Sequence, residues 1–269
     1  MVDPASPPVE LPRYLQLLWD REPAGRRGPK PGRTIQEVGA AGVAVADRNG
    51  LEGVSMKSVA AELGLTPMSL YRYVDSKEQL LEVMLDVAYG PPDRSLVASG
   101  PWRERLSRWA YALVDALLQH PWISMVPMAG PPLSPNILGW TDAGAQAYEG
   151  AELTAQQKMS SLLVVDGYVR SHVRMSLTMG FAEPDTQEPN LYATYLPTLL
   201  DPDRFPALLA TSPAILDDDP DGDFFRDELR FGLDLILDGI ESLTRQGPRQ
   251  PPSSTPPGMS RSGSYGNRV

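Results

Sequence analysis

The sequence predicts an all-α protein, with an N-terminal three-helix unit followed by a larger helical body. Three observations carry this. Apolar residues recur at three- and four-residue spacing, and no stretch alternates β-branched and polar residues with the period of two that a half-buried strand needs. Between residues 50 and 85, capping residues, glycines and prolines fall where short helices must begin and end. The net charge of −10 is unevenly divided: residues 1–12 carry −2, Arg13 to Lys77 hold ten Lys or Arg against seven Asp or Glu, and residues 78–269 carry −11. Such a division holds phosphate at one end and repels it from the other.

Composition narrows the class. A chain of 269 residues has room for two subdomains. It has no cysteine, which excludes disulfides, thiol chemistry and cysteine-based zinc sites. No apolar run reaches signal-peptide or membrane-spanning length, so the expectation is a cytoplasmic protein without a membrane partner. The two histidines, His120 and His172, lack metal-ligand spacing, and no nucleophile elbow, phosphate loop or dinucleotide fingerprint appears. The expectation is no enzyme, no metal and no cofactor.

Residues 1–32 read as a flexible basic extension. Arg21 to Arg33 holds five cations, one acid and several helix breakers. It is either a solvated linker or an arm that lies along DNA, with Arg26, Arg27 and Lys30 the contacts. Tyr14 to Trp19 is a short apolar segment suited to a helical turn docked on the body. Residues 33–80 form the next unit. Its first helix spans 33–48, with Ile35, Val38, Ala41 and Val45 inward. Ser55 caps a helix over 56–62 whose inner face is Val59, Ala60 and Leu63. Gly64 ends it in a left-handed turn. Thr66 caps the next helix and Pro67 suits its first position. Leu70 and Val74 lie on one side of that helix, of about two turns, while Met68, Ser69, Arg72 and Tyr73 point elsewhere. Two short helices about a tight turn, one with a free face, are the helix-turn-helix solution for reading a DNA groove. A connecting helix follows over 76–89.

The body, 81–246, continues with a loop over 90–101, a helix over 102–119 ended by His120-Pro121, an apolar turn at 122–126 and a helix over 136–149. Thr154 caps a long helix over 155–179. Leu162, Val165, Val169, Val173 and Leu177 form one apolar side of it, and Val164, Tyr168, Met175 and Met179 a second, so it faces two layers. Asp166, Arg170 and Arg174 make a polar stripe between them. Short helices near 190–199 and 203–210 precede an acidic loop at Asp217–Asp221, which lacks the spacing of a calcium loop. The last helix, 222–246, carries Phe225, Leu229, Leu233, Ile236, Ile240 and Leu243. Residues 247–269 read as a disordered tail.

On Val59-Ala60-Ala61-Glu62-Leu63-Gly64-Leu65, Ser69-Leu70-Tyr71-Arg72-Tyr73-Val74 and Ser76-Lys77-Glu78-Gln79-Leu80-Leu81, the chain resembles the TetR/AcrR family of bacterial transcriptional regulators. The resemblance covers residues 33–90. It implies a cytoplasmic homodimer, paired through the helices at 155–179 and 222–246, that binds a palindromic double-stranded DNA operator and is released by a small molecule. Repression is the mode it implies. Carried over residue by residue, Pro67, Met68, Ser69 and Arg72 are base-side candidates, with Met68 against a thymine methyl and Arg72 on a guanine edge. Ser55, Lys57, Thr66, Tyr71, Tyr73 and Lys77 are phosphate candidates. The alternative is an all-α ligand-binding or structural dimer with only non-specific DNA binding.

Large rings and thioethers crowd the body, and they suit either an adaptable apolar cavity or plain core. For a small apolar or aromatic effector the candidate lining is Trp109, Trp122, Met125, Trp140, Tyr168, His172 and Met175. His172 is equally readable as a hydrogen-bonded core histidine.

Overall fold

A computed structural model describes residues 11–21, 32–127, 130–179, 195–196, 198–215 and 224–246. Among these residues there are ten α-helices and no strand. The head is built from α2 (Ile35–Asn49), α3 (Met56–Glu62), α4 (Pro67–Leu70) and α5 (Lys77–Tyr89), preceded by a small helix, α1 (Arg13–Leu18). The body consists of α6 (Trp102–Gln119), α7 (Pro135–Ala147), α8 (Ala155–Met179), α9 (Pro206–Ile215) and α10 (Phe224–Gln246). No described helix is long and apolar enough to cross a membrane.

Local chemistry sets the helix ends. Thr34 and Glu37 form a reciprocal capping box at the start of α2, and Ser55 forms one with Ser58 at the start of α3. Thr66 accepts from the Ser69 N–H, and Ser76 from the Gln79 N–H. Gly64 closes α3 at φ +66°, where a side chain would be strained. Packing of α2 against α5 depends on absent side chains: a Cβ on Gly39 would lie 2.5 Å from Val87 Cγ2, and one on Gly42 2.5 Å from Met84 Cγ. Those two glycines let the backbones approach, and Val83 and Met84 fill the joint completely buried.

In the body, α6, α7 and α8 share a core of Leu106, Trp109, Leu113, Ala143, Leu162 and Val165. The inward residues expected on α8, Leu162, Val165, Val169 and Val173, are buried there, while Val164, Met175 and Met179 of its second side are exposed. On α10, Phe225, Leu229, Leu233 and Ile240 are buried, joined by Leu237. The connecting helix α5 also packs on α7, so the division expected at residue 80 falls inside a continuous helix that serves both units.

Three expectations are corrected. The helical turn expected at Tyr14–Trp19 forms as α1 but docks on α2 and α5 of the head rather than on the body, with Tyr14, Leu15 and Leu18 buried, so this stretch of 1–32 is not a flexible extension. Its apolar spacing gives it a surface to bury, and Tyr14 donates a hydrogen bond to Glu82 of α5. The helix α4 has one α-turn rather than two. Past Leu70 its bonds tighten to a three-residue reach, Arg72 N–H to Ser69 O and Tyr73 N–H to Leu70 O. The helix expected over 203–210 starts at Pro206 and continues to Ile215. The rest of the basic arm, most of 190–199, the acidic loop and the tail lie outside the described residues.

Candidate nucleic-acid interface and the body behind it

The capped α4 offers one short face outward and one inward. Leu70 and Val74 are buried, whereas Pro67, Tyr71 and Arg72 are exposed and Met68 is 78 % exposed. An apolar side chain left so bare contributes nothing to the core. Ser69 is half-buried, its hydroxyl 3.0 Å from that of Thr66. Lys57, in the first turn of α3, and Lys77, at the start of α5, are both exposed. Ser55 is also exposed, although its hydroxyl is occupied with capping Ser58. Nearby acids are partly neutralised, with Glu62 on Arg48 at 2.5 Å and Glu37 on Arg33 at 3.1 Å. The exposed face of α4 thus carries Pro67, Met68, Tyr71 and Arg72, with exposed lysines on the helices before and after it.

Tyr73 leaves the exposed set. Its ring is buried, and its hydroxyl accepts from Arg33 N–H at 3.2 Å and donates to Arg33 O at 3.0 Å. Both hydroxyl functions are taken, so this tyrosine holds the chain entering α2 rather than presenting itself to phosphate. Arg33 completes the joint by donating from its guanidinium to Leu63 O, an otherwise free carbonyl at the end of α3, at 3.2 Å. Sequence reading passes over this use of Arg33, although the Thr34-x-x-Glu37 capping box beside it marks a fixed helix start. Arg21 stacks over Trp19, 5.6 Å from its ring. Of the five arm cations, Arg21 and Arg33 thus have structural partners, and Arg26, Arg27 and Lys30 lie outside the described residues.

The seven effector candidates do not converge on one cavity. Trp109 and Trp140 are buried between α6, α7 and α8, where the Trp109 indole donates to Trp140 O at 2.9 Å and the Trp140 indole to Gly90 O at 3.1 Å. A buried indole needs an acceptor, and here backbone carbonyls supply it. Tyr168 and His172 belong to the contact between α8 and α10: Tyr168 donates to Glu228 O at 2.8 Å, and His172 Nε2 lies 3.0 Å from Phe225 O. Met175 is exposed on α8. Trp122 and Met125 border a cleft at the junction with the head.

Head and body are joined by polar contacts, most of them part-buried. Asp86 of α5 accepts from the Asn136 N–H at 2.7 Å and from the Asn136 side chain, closing the start of α7. Burial raises its pKa, against the opposing effect of bonds from Asn136, Ser134 and Ile137. Arg170 of α8 pairs with Asp166 at 2.8 Å and donates to the Tyr89 hydroxyl at 2.6 Å, tying the long helix to the end of α5. Asp47 of α2 accepts from the Trp122 indole at 2.7 Å and meets His120 Nδ1 at 2.9 Å.

A capped helix-turn-helix with an exposed cationic face, carried on a larger helical body, defines a DNA-binding regulator. Comparison with known proteins identifies the family. The family described as bacterial regulatory proteins, tetR family, matches residues 40–84, and the tetracyclin repressor-like C-terminal domain matches residues 96–244. The chain belongs to the tetR family. It is 36 % identical over 243 residues to the HTH-type transcriptional repressor DrrR1 of Streptomyces coeruleorubidus, covering 88 % of each chain. Apo ActR from Streptomyces coelicolor shares the fold at a TM-score of 0.66 with 21 % identity, over 81 % of this chain and 99 % of that one. ActR in complex with actinorhodin matches at 0.65 with 20 % identity, over 78 % and 96 %.

Proposed function

We propose that the protein is a ligand-responsive transcriptional repressor, which binds a palindromic double-stranded operator as a homodimer and leaves it when a small apolar or aromatic molecule is bound. The repressor sense is supported by the relative described as a repressor. The ligand sense is supported by a neighbour of the same fold described in complex with actinorhodin. The reading makes it a cytoplasmic, non-enzymatic protein, with a head over 33–80 and a body over 81–246.

The observation that carries the DNA reading is the division of α4 between a buried Leu70 and an exposed Met68 and Arg72. In this reading Pro67, Met68, Ser69 and Arg72 meet base edges. Ser55, Lys57, Thr66, Tyr71 and Lys77 hold the backbone, and Arg26, Arg27 and Lys30 add phosphate or minor-groove contacts. So short a helix covers too few bases alone, which calls for two heads related by a two-fold axis.

The dimer is supported by apolar side chains left bare on adjoining helices: Leu163 and Val164 of α8, and Phe231 and Leu235 of α10, each more than half exposed. A soluble chain does not ordinarily leave such a row uncovered. Leu233, buried, and Ile236, half-buried, belong to the subunit core instead. Leu235→Glu places a charge on the bare row without opening the core. Light scattering should then give a monomer, with operator binding weakened at least about tenfold, equivalent to 1.4 kcal/mol. A wild type that is monomeric at micromolar concentration overturns the reading.

A further inference from the structure

The end of α2 and the 3-10 turn Leu51–Gly53 face the end of α6, the 3-10 turn Pro121–Met125 and the last turn of α8 across a cleft of about 680 Å³. The cleft lies on the seam between head and body, away from the interior where Trp109 and Trp140 are packed. Its apolar walls are Leu51, Met125 and Leu177, with only an edge of Trp122, which is 6 % exposed, and its carboxylates are Asp47 and Glu52, both from the head. No Lys or Arg is among the described residues lining it. Met125 is 45 % exposed, an unbranched thioether free to adjust to a guest. Asp47 is oriented by His120 and Trp122, and Glu52 has no ion pair among the described residues.

From this geometry we infer that the head–body cleft binds a small apolar cation, an aromatic or polycyclic molecule carrying one positive charge. Its rings lie against Leu51, Met125 and Leu177, and its charge lies toward Glu52 and Asp47. The apolar walls exclude a small hydrated metal ion, and the two acids without a lining base exclude an anion. The inference rests on the ligand-controlled reading above and adds a location and a charge sign to it.

The location also meets the energetic requirement for control. A molecule of equal affinity for two head positions shifts neither. One that touches α2 on one wall and α6 and α8 on the other binds only the position in which those walls are correctly spaced. Binding and head position are therefore linked reciprocally. Asp47 and Glu52 precede α3, so the linkage reaches the helix-turn-helix through the chain itself.

The test uses tetraphenylphosphonium as a probe, the neutral triphenylphosphine oxide as its uncharged counterpart, and calorimetry on the full-length protein. Tetraphenylphosphonium should bind at one site per subunit, and the neutral compound about tenfold or more weaker, because a carboxylate a few ångströms from a cation in a partly screened cleft contributes on that order. Glu52→Gln should reduce tetraphenylphosphonium affinity about tenfold while leaving the neutral compound unchanged. Met125→Lys, at an exposed position, should abolish binding of the cation. Equal binding of the two compounds, or unchanged cation affinity in both variants, overturns the cleft assignment. Each variant is also titrated with a duplex recovered by in vitro selection, without probe. Variants that keep duplex binding while losing the probe support the cleft; a wild type that binds duplex but not the probe overturns the cleft alone, whereas failure of the wild type to bind any selected duplex overturns the regulator reading.

Discussion

Tyr71 and Tyr73 stand two residues apart and look equivalent in sequence, but the structure gives them opposite roles. Tyr73→Phe keeps the buried ring and removes the hydroxyl bonded at 3.2 Å and 3.0 Å to the Arg33 backbone. Each such bond contributes about 1 kcal/mol, and part-buried groups left without partners add to the loss, so the variant should lose roughly 1–3 kcal/mol of stability. For a chain of this size that corresponds to a fall in Tm of about 2–4 °C per kcal/mol. Tyr71→Phe removes a hydroxyl from a side chain that is 48 % exposed, and its Tm should not move. It should instead weaken operator binding by roughly 1.5–3 kcal/mol, the range for a hydrogen bond to a charged group. The assay is thermal unfolding at one fixed protein concentration, because dimerisation makes Tm concentration-dependent, paired with an operator titration well below the transition. An unchanged Tm in Tyr73→Phe, with operator binding weakened as much as in Tyr71→Phe, would refute the reasoning.

Three further outcomes follow from the same geometry. Deleting residues 22–31 removes Arg26, Arg27 and Lys30 while sparing Arg21 and Arg33; if half of the six cations per dimer engage DNA, the salt slope of operator binding should fall by about 2.7 at 0.9 per contact. Deleting 1–32 should in addition lower Tm, because Tyr14, Leu15 and Leu18 are core residues. Burial raises the pKa of Asp86, so the native state binds its proton more tightly than the unfolded chain. Stability should therefore decline as pH rises from about 4, the ordinary carboxylate range, through the raised native value, and Asp86→Asn should flatten that part of a denaturant-stability profile.

Much of this was legible because it is local. The caps at Ser55, Thr66 and Ser76, the turn at Gly64 and the periodicity of α8 act within one or two turns, and the helix bounds they predict lie within a residue or two of those observed, except at the early end of α4. What the sequence hid is set by distant partners. Nothing local to Tyr73 reveals that its hydroxyl is taken by Arg33, forty residues earlier. Nor does the glycine pair Gly39 and Gly42 announce α5 as its partner. The partners of the aromatic candidates were hidden for a related reason: composition places indoles in the body, while their acceptors, Trp140 O for Trp109 and Gly90 O for Trp140, exist only once the helices meet. The bare row on α8 and α10 was half visible. Periodicity marked both helices as strongly apolar, but not that Leu235 faces outward while Leu233 is core.

The most direct test of the account is in vitro selection of a random duplex pool by the full-length protein, followed by sequencing and determination of the bound stoichiometry. The expected result is an enriched palindrome, with two half-sites on one face of the duplex about one helical turn or slightly more apart, occupied by two subunits. Arg72→Ala should bind it roughly 1–3 kcal/mol more weakly and with relaxed preference at one base pair of each half-site. Enrichment of no sequence, or of an asymmetric site bound by a single subunit, would contradict it.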